Sequence, residues 1–171
     1  HAFLEPVLNA DETPTRVLKK NGEPVNKKGQ MWVICTGAAA SRKRALYAYR
    51  DSRSKKVAEE LLKGYTGVVQ TDGFQSYGSG EYKHAGCYSH LRRKVVDCIP
   101  KGDKNCPSAQ IVALIDKAFY YEREMRKHRC PEKTVLKIRK KKIKPLLDRI
   151  YDIIGTLRPS KDSHLYTAVT Y

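Results

Sequence analysis

The chain has 171 residues, of which 34 are Lys or Arg and 18 are Asp or Glu, so its formal net charge is +16. This length allows one sizeable domain with a core of its own. The charge indicates a polyanionic partner, with nucleic acid as the first candidate and an anionic membrane surface as the second. No apolar run approaches the roughly 20 residues that span a bilayer, so we expect a cytoplasmic protein without a membrane partner.

The cysteines do not form a recognisable ligand or disulfide pattern. There are five of them, the spacings are irregular, and no Cys-x-x-Cys pair occurs. This argues against a disulfide framework and against a four-cysteine zinc site. The chain opens at His1 without an initiator Met and stops at Tyr171, inside a predicted helix that begins near Ser163. We therefore expect a piece of a longer protein.

The first elements predict an antiparallel meander. A strand is predicted from Val7 to Leu18 with an interruption at Pro14, and Asn21-Gly22 is a strong turn signal. A short apolar strand is predicted from Met31 to Thr36, and a third strand from Ala45 to Tyr49.

A helix and further strands are predicted next. In SRSKKVAEELLKG, Ser52 or Ser54 can cap a helix that Gly64 ends. A strand is predicted from Gly67 to Thr71, and Asp72 follows it directly. A strand–helix–strand order normally forms a parallel crossover. A weaker strand from Lys83 to Tyr88 precedes a short helix from about Ser89 to Ile99.

The second half of the chain has helical spacing throughout. One long helix is predicted over 107–128, and a second from Leu136 to Ile154. Pro145 should kink this second helix or mark a boundary between two pieces. The pair predicts a helical hairpin appended to the sheet.

Asp11 and Asp72 are candidate metal-binding carboxylates. Asp11 follows an apolar run and Asp72 ends a strand, where a side chain is held rigidly among ligand-binding loops. Two such carboxylates on neighbouring strands could bind the paired divalent ions of phosphoryl transfer. The alternative is that both aspartates only form turns, since Asp-Gly is a common hairpin turn.

The order of elements favours the metal site. A meander, a helix, a strand ending in an acid, and a further strand and helix form the order of the ribonuclease-H-like fold. The predicted fold class is therefore α/β, a mixed sheet with a three-strand antiparallel meander, parallel strands and an appended helical hairpin. In that fold the first and fourth strands are neighbours, which would bring Asp11 and Asp72 together.

Five segments resemble one family in the same order along the chain. ADETP, TDGFQSY and CYSHLRRK are similar to the two aspartate blocks and the Cys-x-x-His block of the insertion sequence sixty-six family of bacterial transposases. YYEREMRKHR with KIRKKKIKPLLD resembles that family's helical insertion, and SKDSHLYTAVTY resembles the start of its next helix. The resemblance covers nearly the whole chain. It implies a catalytic core at 1–104, a helical insertion at 105–160 and a truncated helix at 161–171.

The resemblance implies a transposase that uses two aspartates and a glutamate. Asp11 and Asp72 match the aspartates, and the glutamate would lie beyond Tyr171, so this piece alone should be inactive. The implied cofactor is Mg²⁺, with Mn²⁺ as a substitute, bound as two ions about 4 Å apart. The implied partners are the DNA of the transposon ends and of the target, with a homo-oligomer assembled on that DNA. The in-chain acids of the insertion are expected to be surface charges: Glu122, Glu124, Asp148 and Asp152.

Several basic residues are candidate DNA contacts. Cys87 and His90 form Cys-x-x-His, but a zinc site would need a second pair, so the choice is between a buried Cys and a DNA-contacting His90. The residues Arg92, Arg93 and Lys94 are either a phosphate clamp or a solvated helix face. The same alternatives hold for Lys140, Lys141 and Lys142, whose mutual repulsion bound DNA would relieve.

Two other functions stay open on the sequence alone. One is a basic nucleic-acid-binding module without catalysis, in which the aspartates are turn residues. The other is a ribonuclease-H-like nuclease that acts on RNA or branched DNA. The Cys-x-x-His block and the helical insertion favour transposition over the nuclease.

Overall fold

The computed structural model describes residues 4–20, 23–73, 77 and 80–170. The chain divides into two compact units, His1–Cys87 and Tyr88–Tyr171. The first contains a mixed sheet and one helix, and the second contains helices. The division falls earlier in the chain than the boundary expected after residue 104, and the predicted domain limits stay a prediction.

The first unit is built on a five-stranded sheet with the order β3-β2-β1-β4-β5. Its strands are β1 Val7–Lys20, β2 Glu23–Thr36, β3 Ala45–Arg50, β4 Val68–Thr71 and β5 Lys83–Gly86, with helix α1 Lys55–Leu61 between β3 and β4. The first three strands pair antiparallel, whereas β4 is parallel to β1 and β5 is parallel to β4. The α/β class, the mixed sheet and the meander are confirmed.

The predicted interruption of the first strand at Pro14 is wrong. Strand β1 continues through Pro14, which pairs with Gln30 of β2. Among the residues that the structure describes, the pairing of β1 with β4 ends at Asn9, so Pro14 has a strand partner on one side only. A proline that lacks an N–H is tolerated at such an edge position.

Polar residues extend the hairpin beyond the apolar stretch that predicted it. Strand β2 already begins at Glu23, where it pairs with Lys20, rather than at Met31. The predicted turn at Asn21-Gly22 lies outside the described residues. At the other end of the sheet, β5 ends at Gly86, before the predicted Tyr88.

Alternate residues of the strands form the core of the first unit. On β1 these are Leu8 and Ala10, and on β2 they are Trp32 and Ile34. Ala58 of helix α1 and Leu62, the residue directly after that helix, are buried in the same core. The helix begins after Ser54, whose side chain makes no cap hydrogen bond. Gly64 follows it with φ +75°, a conformation that favours glycine.

The second unit consists of helices of unequal length. They are α2 Tyr88–Val96, α3 Pro107–Lys127, α4 Glu132–Ile138, α5 Lys144–Thr156 and α6 His164–Val169. Ser163 caps α6 and accepts a hydrogen bond from the Tyr166 N–H, so the helix predicted near Ser163 is present. Among the described residues, no helix is both long enough and apolar enough to cross a membrane.

The boundary predicted at Pro145 is present as a widened helical turn. The π-helical turn Arg139–Ile143 joins α4 to α5 directly before this proline. Proline cannot donate to the preceding turn and its ring crowds the carbonyl there, so a wider turn relieves both problems. Ile143 is buried with Ala118 and Met125 of α3, which anchors the turn.

Candidate active site

Asp11 lies within β1, on the face opposite the core. Its neighbours on either side along the chain, Ala10 and Glu12, point into the core face, because side chains alternate along a strand. Asp11 pairs with Val33 of β2 and is exposed to solvent. It therefore belongs to a strand and not to a turn.

Asp72 is the first residue after β4, the strand that pairs with the strand of Asp11. Strand β4 pairs parallel with β1 through Leu8 with Val69 and Asn9 with Gln70. Asp11 follows Asn9 by two residues, and Asp72 follows Gln70 by two residues. The charges of both aspartates also act on the Tyr77 phenol, so both lie near that side chain.

The turn that carries Asp72 is held by Thr71. The buried Thr71 hydroxyl accepts the Gly73 N–H at 3.2 Å and lies 2.6 Å from His84 Nε2. Gly73 has φ +76°. Because β4 and β5 are parallel, Asp72-Gly73 is not the hairpin turn that the alternative interpretation required. The glycine instead lets the chain leave the sheet directly behind the carboxylate.

A charge network around the buried Glu12 side chain includes Asp72. The Glu12 side chain has no solvent exposure and forms an ion pair with Arg53 Nε. The same guanidinium reaches Asp72, with 3.2 Å between Nη2 and Oδ2. Burial lowers the pKa of Arg53, but the hydrogen bond and charge of Glu12 and the charge of Asp72 outweigh it, so this pKa is raised. Arg53 is therefore a permanent cation between two acids.

Tyr77 completes the network from the core side. Its hydroxyl donates to Glu12 Oε2, and its ring packs edge-on against Trp32 with 5.8 Å between centroids. Burial raises the pKa of the Tyr77 phenol strongly, and the hydrogen bond to Glu12 raises it further. The charges of Glu12, Asp72 and Asp11 act in the same direction, so all three carboxylates lie within electrostatic reach of this phenol.

Three residues of this network were not predicted from the sequence: Glu12, Arg53 and Tyr77. A signal for Glu12 was present, since it is in phase with the buried residues Leu8 and Ala10 on a strand. A carboxylate at a core position needs a cation or a strong donor. Nothing local identified those partners, because Arg53 is 41 residues away and Tyr77 is 65 residues away.

The acid pair suits a hard divalent cation. Carboxylate oxygens are the ligands that Mg²⁺ and Mn²⁺ prefer, and Asp11 and Asp72 offer them from neighbouring strands. Within the described part of the chain, no group of three or more His, Cys, Asp or Glu side chains could hold a metal ion. The residues present thus fit a site to which other ligands must contribute.

The Cys-x-x-His block spans the division between the two units. The Cys87 N–H donates to the Thr71 carbonyl at 2.8 Å, which ties it to the turn before Asp72. His90 lies on α2, and its Nδ1 is buried without a hydrogen-bond partner among the described residues. The DNA contact expected of His90 stays a prediction.

The basic residues of α2 differ in their surroundings. Arg92 donates from Nε and Nη2 to the two carboxylate oxygens of Asp116 on α3, at 2.6 and 2.9 Å. A phosphate would therefore have to compete with that carboxylate. Arg93 is exposed and Lys94 is half-buried. Val95 is fully buried, which confirms that this helix turns an apolar side towards a core. The phosphate clamp stays a prediction.

The π-helical turn exposes three consecutive lysines. Lys140, Lys141 and Lys142 are solvent-exposed, and none forms an ion pair with a residue that the structure describes. The neighbouring Arg139 is different, since it binds both oxygens of Glu122 at 2.7 and 2.9 Å. The three lysines thus offer the kind of charge that a phosphate backbone binds.

Comparisons with known proteins show the family of the chain. A strongly basic α/β chain with two acids near neighbouring strands suits the class of DNA-processing enzymes. A sequence model described as "Transposase IS66 family" matches residues 1–171, the whole chain. The chain therefore belongs to the IS66 family of transposases, as the resemblance of its five segments predicted.

Relatives from Sinorhizobium fredii (strain NBRC 101917 / NGR234) are also similar. The uncharacterized protein y4jD is 32% identical over an alignment of 90 residues that covers 47% of this chain and 17% of the relative. The uncharacterized protein y4qI is 28% identical over an alignment of 122 residues that covers 63% of this chain and 22% of the relative. The matches thus cover about a fifth of the length of these relatives. No solved structure matches the chain.

Proposed function

We propose that this chain is part of the catalytic core of a DNA transposase, and that Asp11 and Asp72 belong to the active site that cleaves and joins DNA. The observation that carries the proposal is the parallel pairing of β1 with β4, which ends at Asn9 and Gln70, two residues before Asp11 and Asp72. Membership of the IS66 family supports transposition as the biological role. The strand order and directions support a ribonuclease-H-like core.

Each aspartate has a separate structural support. Asp11 is fixed by a strand that is hydrogen-bonded on both flanks up to Asn9 and on one flank beyond it. Asp72 is held by the turn at Thr71 and by Arg53. Both carboxylates are thus positioned before a substrate arrives, which lowers the cost of assembling a charged site.

Asp11 and Asp72 would hold divalent cations, Mg²⁺ or Mn²⁺, together with a third carboxylate from outside the described residues. Such cations, when bound, activate an attacking oxygen and stabilise a leaving oxygen in phosphoryl transfer. The two aspartates would orient this chemistry without forming a covalent bond to DNA. The lysines of the π-helical turn would bind the phosphate backbone.

The test is Asp11→Asn and Asp72→Asn in the full-length transposase, each assayed for cleavage of DNA that carries the transposon ends. Each change keeps the side-chain shape but removes a charged oxygen, so we expect cleavage to fall by at least about a thousandfold while DNA affinity changes little. Asp152→Asn is the matched control, because Asp152 is an exposed acid on α5. Normal cleavage by either active-site variant would contradict the proposal.

DNA affinity separates this proposal from the binding-module alternative. A binding module should hold DNA with the same salt dependence whether or not Mg²⁺ is present, and it should cut nothing in any variant. A transposase core should cut only with Mg²⁺ or Mn²⁺. Substrate choice separates it from a nuclease, which would prefer RNA or branched DNA to transposon ends.

A further inference from the structure

Arg53 lies between a buried acid and a proposed cation ligand. It contacts Glu12 through Nε and Asp72 through Nη2. It reaches both from the segment directly before α1, so the helix start fixes its backbone. The positive charge next to Asp72 in this structure is thus the guanidinium of Arg53.

The two contacts of Arg53 differ in how readily they can be exchanged. The Glu12 side chain has no solvent exposure, so its carboxylate depends on Arg53 and Tyr77 for compensation. Asp72 keeps 22% of its side chain exposed, and its contact with Nη2 is 3.2 Å long. Water or a cation can therefore replace Arg53 at Asp72 but not at Glu12.

We propose that Arg53 is a positioning residue that occupies Asp72 in place of a divalent cation. When a cation binds, Arg53 gives up Asp72 and stays attached to Glu12. This inference rests on the proposed function, because it takes Asp11 and Asp72 as cation ligands. It assigns the network of Glu12, Arg53 and Tyr77 to control of the site as well as to stability of the sheet.

The Arg53 guanidinium and a divalent cation are both positive, so they compete for the Asp72 carboxylate. Without a cation, the guanidinium offsets the repulsion between Asp72 and the nearby acids Asp11 and Glu12, and so keeps the acid pair together. With a cation bound, the same guanidinium is a neighbouring positive charge and weakens binding. Arg53 therefore keeps the empty site ordered at the expense of cation affinity.

The experiment is titration of the whole chain with Mn²⁺, with unbound Mn²⁺ measured by electron paramagnetic resonance at low ionic strength. Arg53→Gln should bind Mn²⁺ about tenfold more tightly than the original chain, since one competing charge is removed. Arg50→Gln is the matched control. Arg50 also pairs with an acid, Glu60 of α1 at 2.7 Å, and no contact with Asp72 is among its interactions. We expect no change for this control.

Two further variants guard against a folding effect. Arg53→Lys keeps the charge and should bind Mn²⁺ like the original chain. The double variant Glu12→Gln with Arg53→Gln removes the unpaired buried charge and should still bind more tightly than the single variant Glu12→Gln. Circular dichroism of each protein shows that it is folded before it is titrated.

The outcomes separate this inference from the proposed function. Binding that requires Asp11 and Asp72 but is equal in the Arg53→Gln and Arg50→Gln proteins would overturn the role of Arg53 alone. Absence of Mn²⁺ binding in both the original chain and Arg53→Gln would also overturn it. Tight binding by Arg53→Gln that survives Asp11→Asn or Asp72→Asn would overturn the proposed ligands, and with them the proposed function.

Discussion

Strand β1 contributes one acid to the core and the next to the candidate site. Asp11 and Glu12 are consecutive, so they lie on opposite faces of β1. Glu12 reaches inward to the Tyr77 hydroxyl and to Arg53, while Asp11 is exposed. The strand therefore places one acid in the network of Arg53 and Tyr77 and the next at the proposed cation site.

Tyr77→Phe tests the inner half of this network. The change removes the donor to Glu12 but keeps the ring beside Trp32. We expect the free energy of unfolding to fall by about 1–2 kcal/mol at neutral pH, measured by urea denaturation. Tyr47→Phe is the control, because Tyr47 is 66% exposed and should lose almost nothing. Equal losses in the two variants would contradict a structural role of the hydroxyl.

The pH dependence of the same pair follows from the raised pKa of Tyr77. An unfolded tyrosine loses its proton near pH 10, whereas folded Tyr77 keeps it to higher pH. The folded state then binds more protons than the unfolded state, so this contribution to stability is complete below about pH 10 and is lost as the pH rises further. The stability gap between the original chain and Tyr77→Phe should therefore narrow above that pH.

At the scale of elements, the π-helical turn depends on one buried side chain. Ile143 packs against Ala118 and Met125 of α3, while Pro145 prevents a regular helix from continuing. The regular helix is interrupted before Pro145, and the π-helical turn at this interruption exposes three adjacent lysines. Its position is set by the hydrophobic cluster, since the lysines themselves repel one another.

Ile143→Ala should cost about 2–4 kcal/mol in the free energy of unfolding, because it leaves a cavity in this cluster. Leu136→Ala on α4 should cost less than about 1 kcal/mol, since Leu136 is 57% exposed. Thermal unfolding followed by circular dichroism measures both. A small loss at Ile143 would mean that the turn is not anchored through its apolar side.

For the whole molecule, the charge of +16 is not evenly available to a partner. Arg92 is bound to Asp116 and Arg139 to Glu122, so part of the basic surface is neutralised internally. The lysines of the π-helical turn are not compensated in this way. These three lysines therefore indicate a DNA-binding surface more specifically than the net charge of the chain does.

Replacement of Lys140, Lys141 and Lys142 by Gln should weaken binding to duplex DNA and reduce the slope of log affinity against log salt by about 2–3. Fluorescence anisotropy over a range of salt concentrations measures both effects. The matched control replaces the exposed Lys101, Lys104 and Lys161, which removes the same charge elsewhere. Equal effects of the two triple variants would show that net charge, and not this turn, binds DNA.

The elements with local sequence signals could be predicted from the sequence. Alternating apolar residues predicted β3, Gly64 and the pattern of α1 predicted that helix, and Pro145 predicted the boundary before α5. The meander, and the expectation that the first and fourth strands are neighbours, also held. These features depend on periodicity and on the backbone limits of Gly and Pro, which neighbouring residues fix.

The surroundings of the two aspartates depend on contacts between distant parts of the chain. The pairing of Asn9 in β1 with Gln70 in β4 joins segments 61 residues apart, and that register depends on packing of the whole sheet face. Arg53 and Tyr77 meet Glu12 only in the folded chain. Likewise, Arg92 binds Asp116 and the Pro14 strand continues at an open edge. Such pairings are set by long-range contacts that no local pattern encodes.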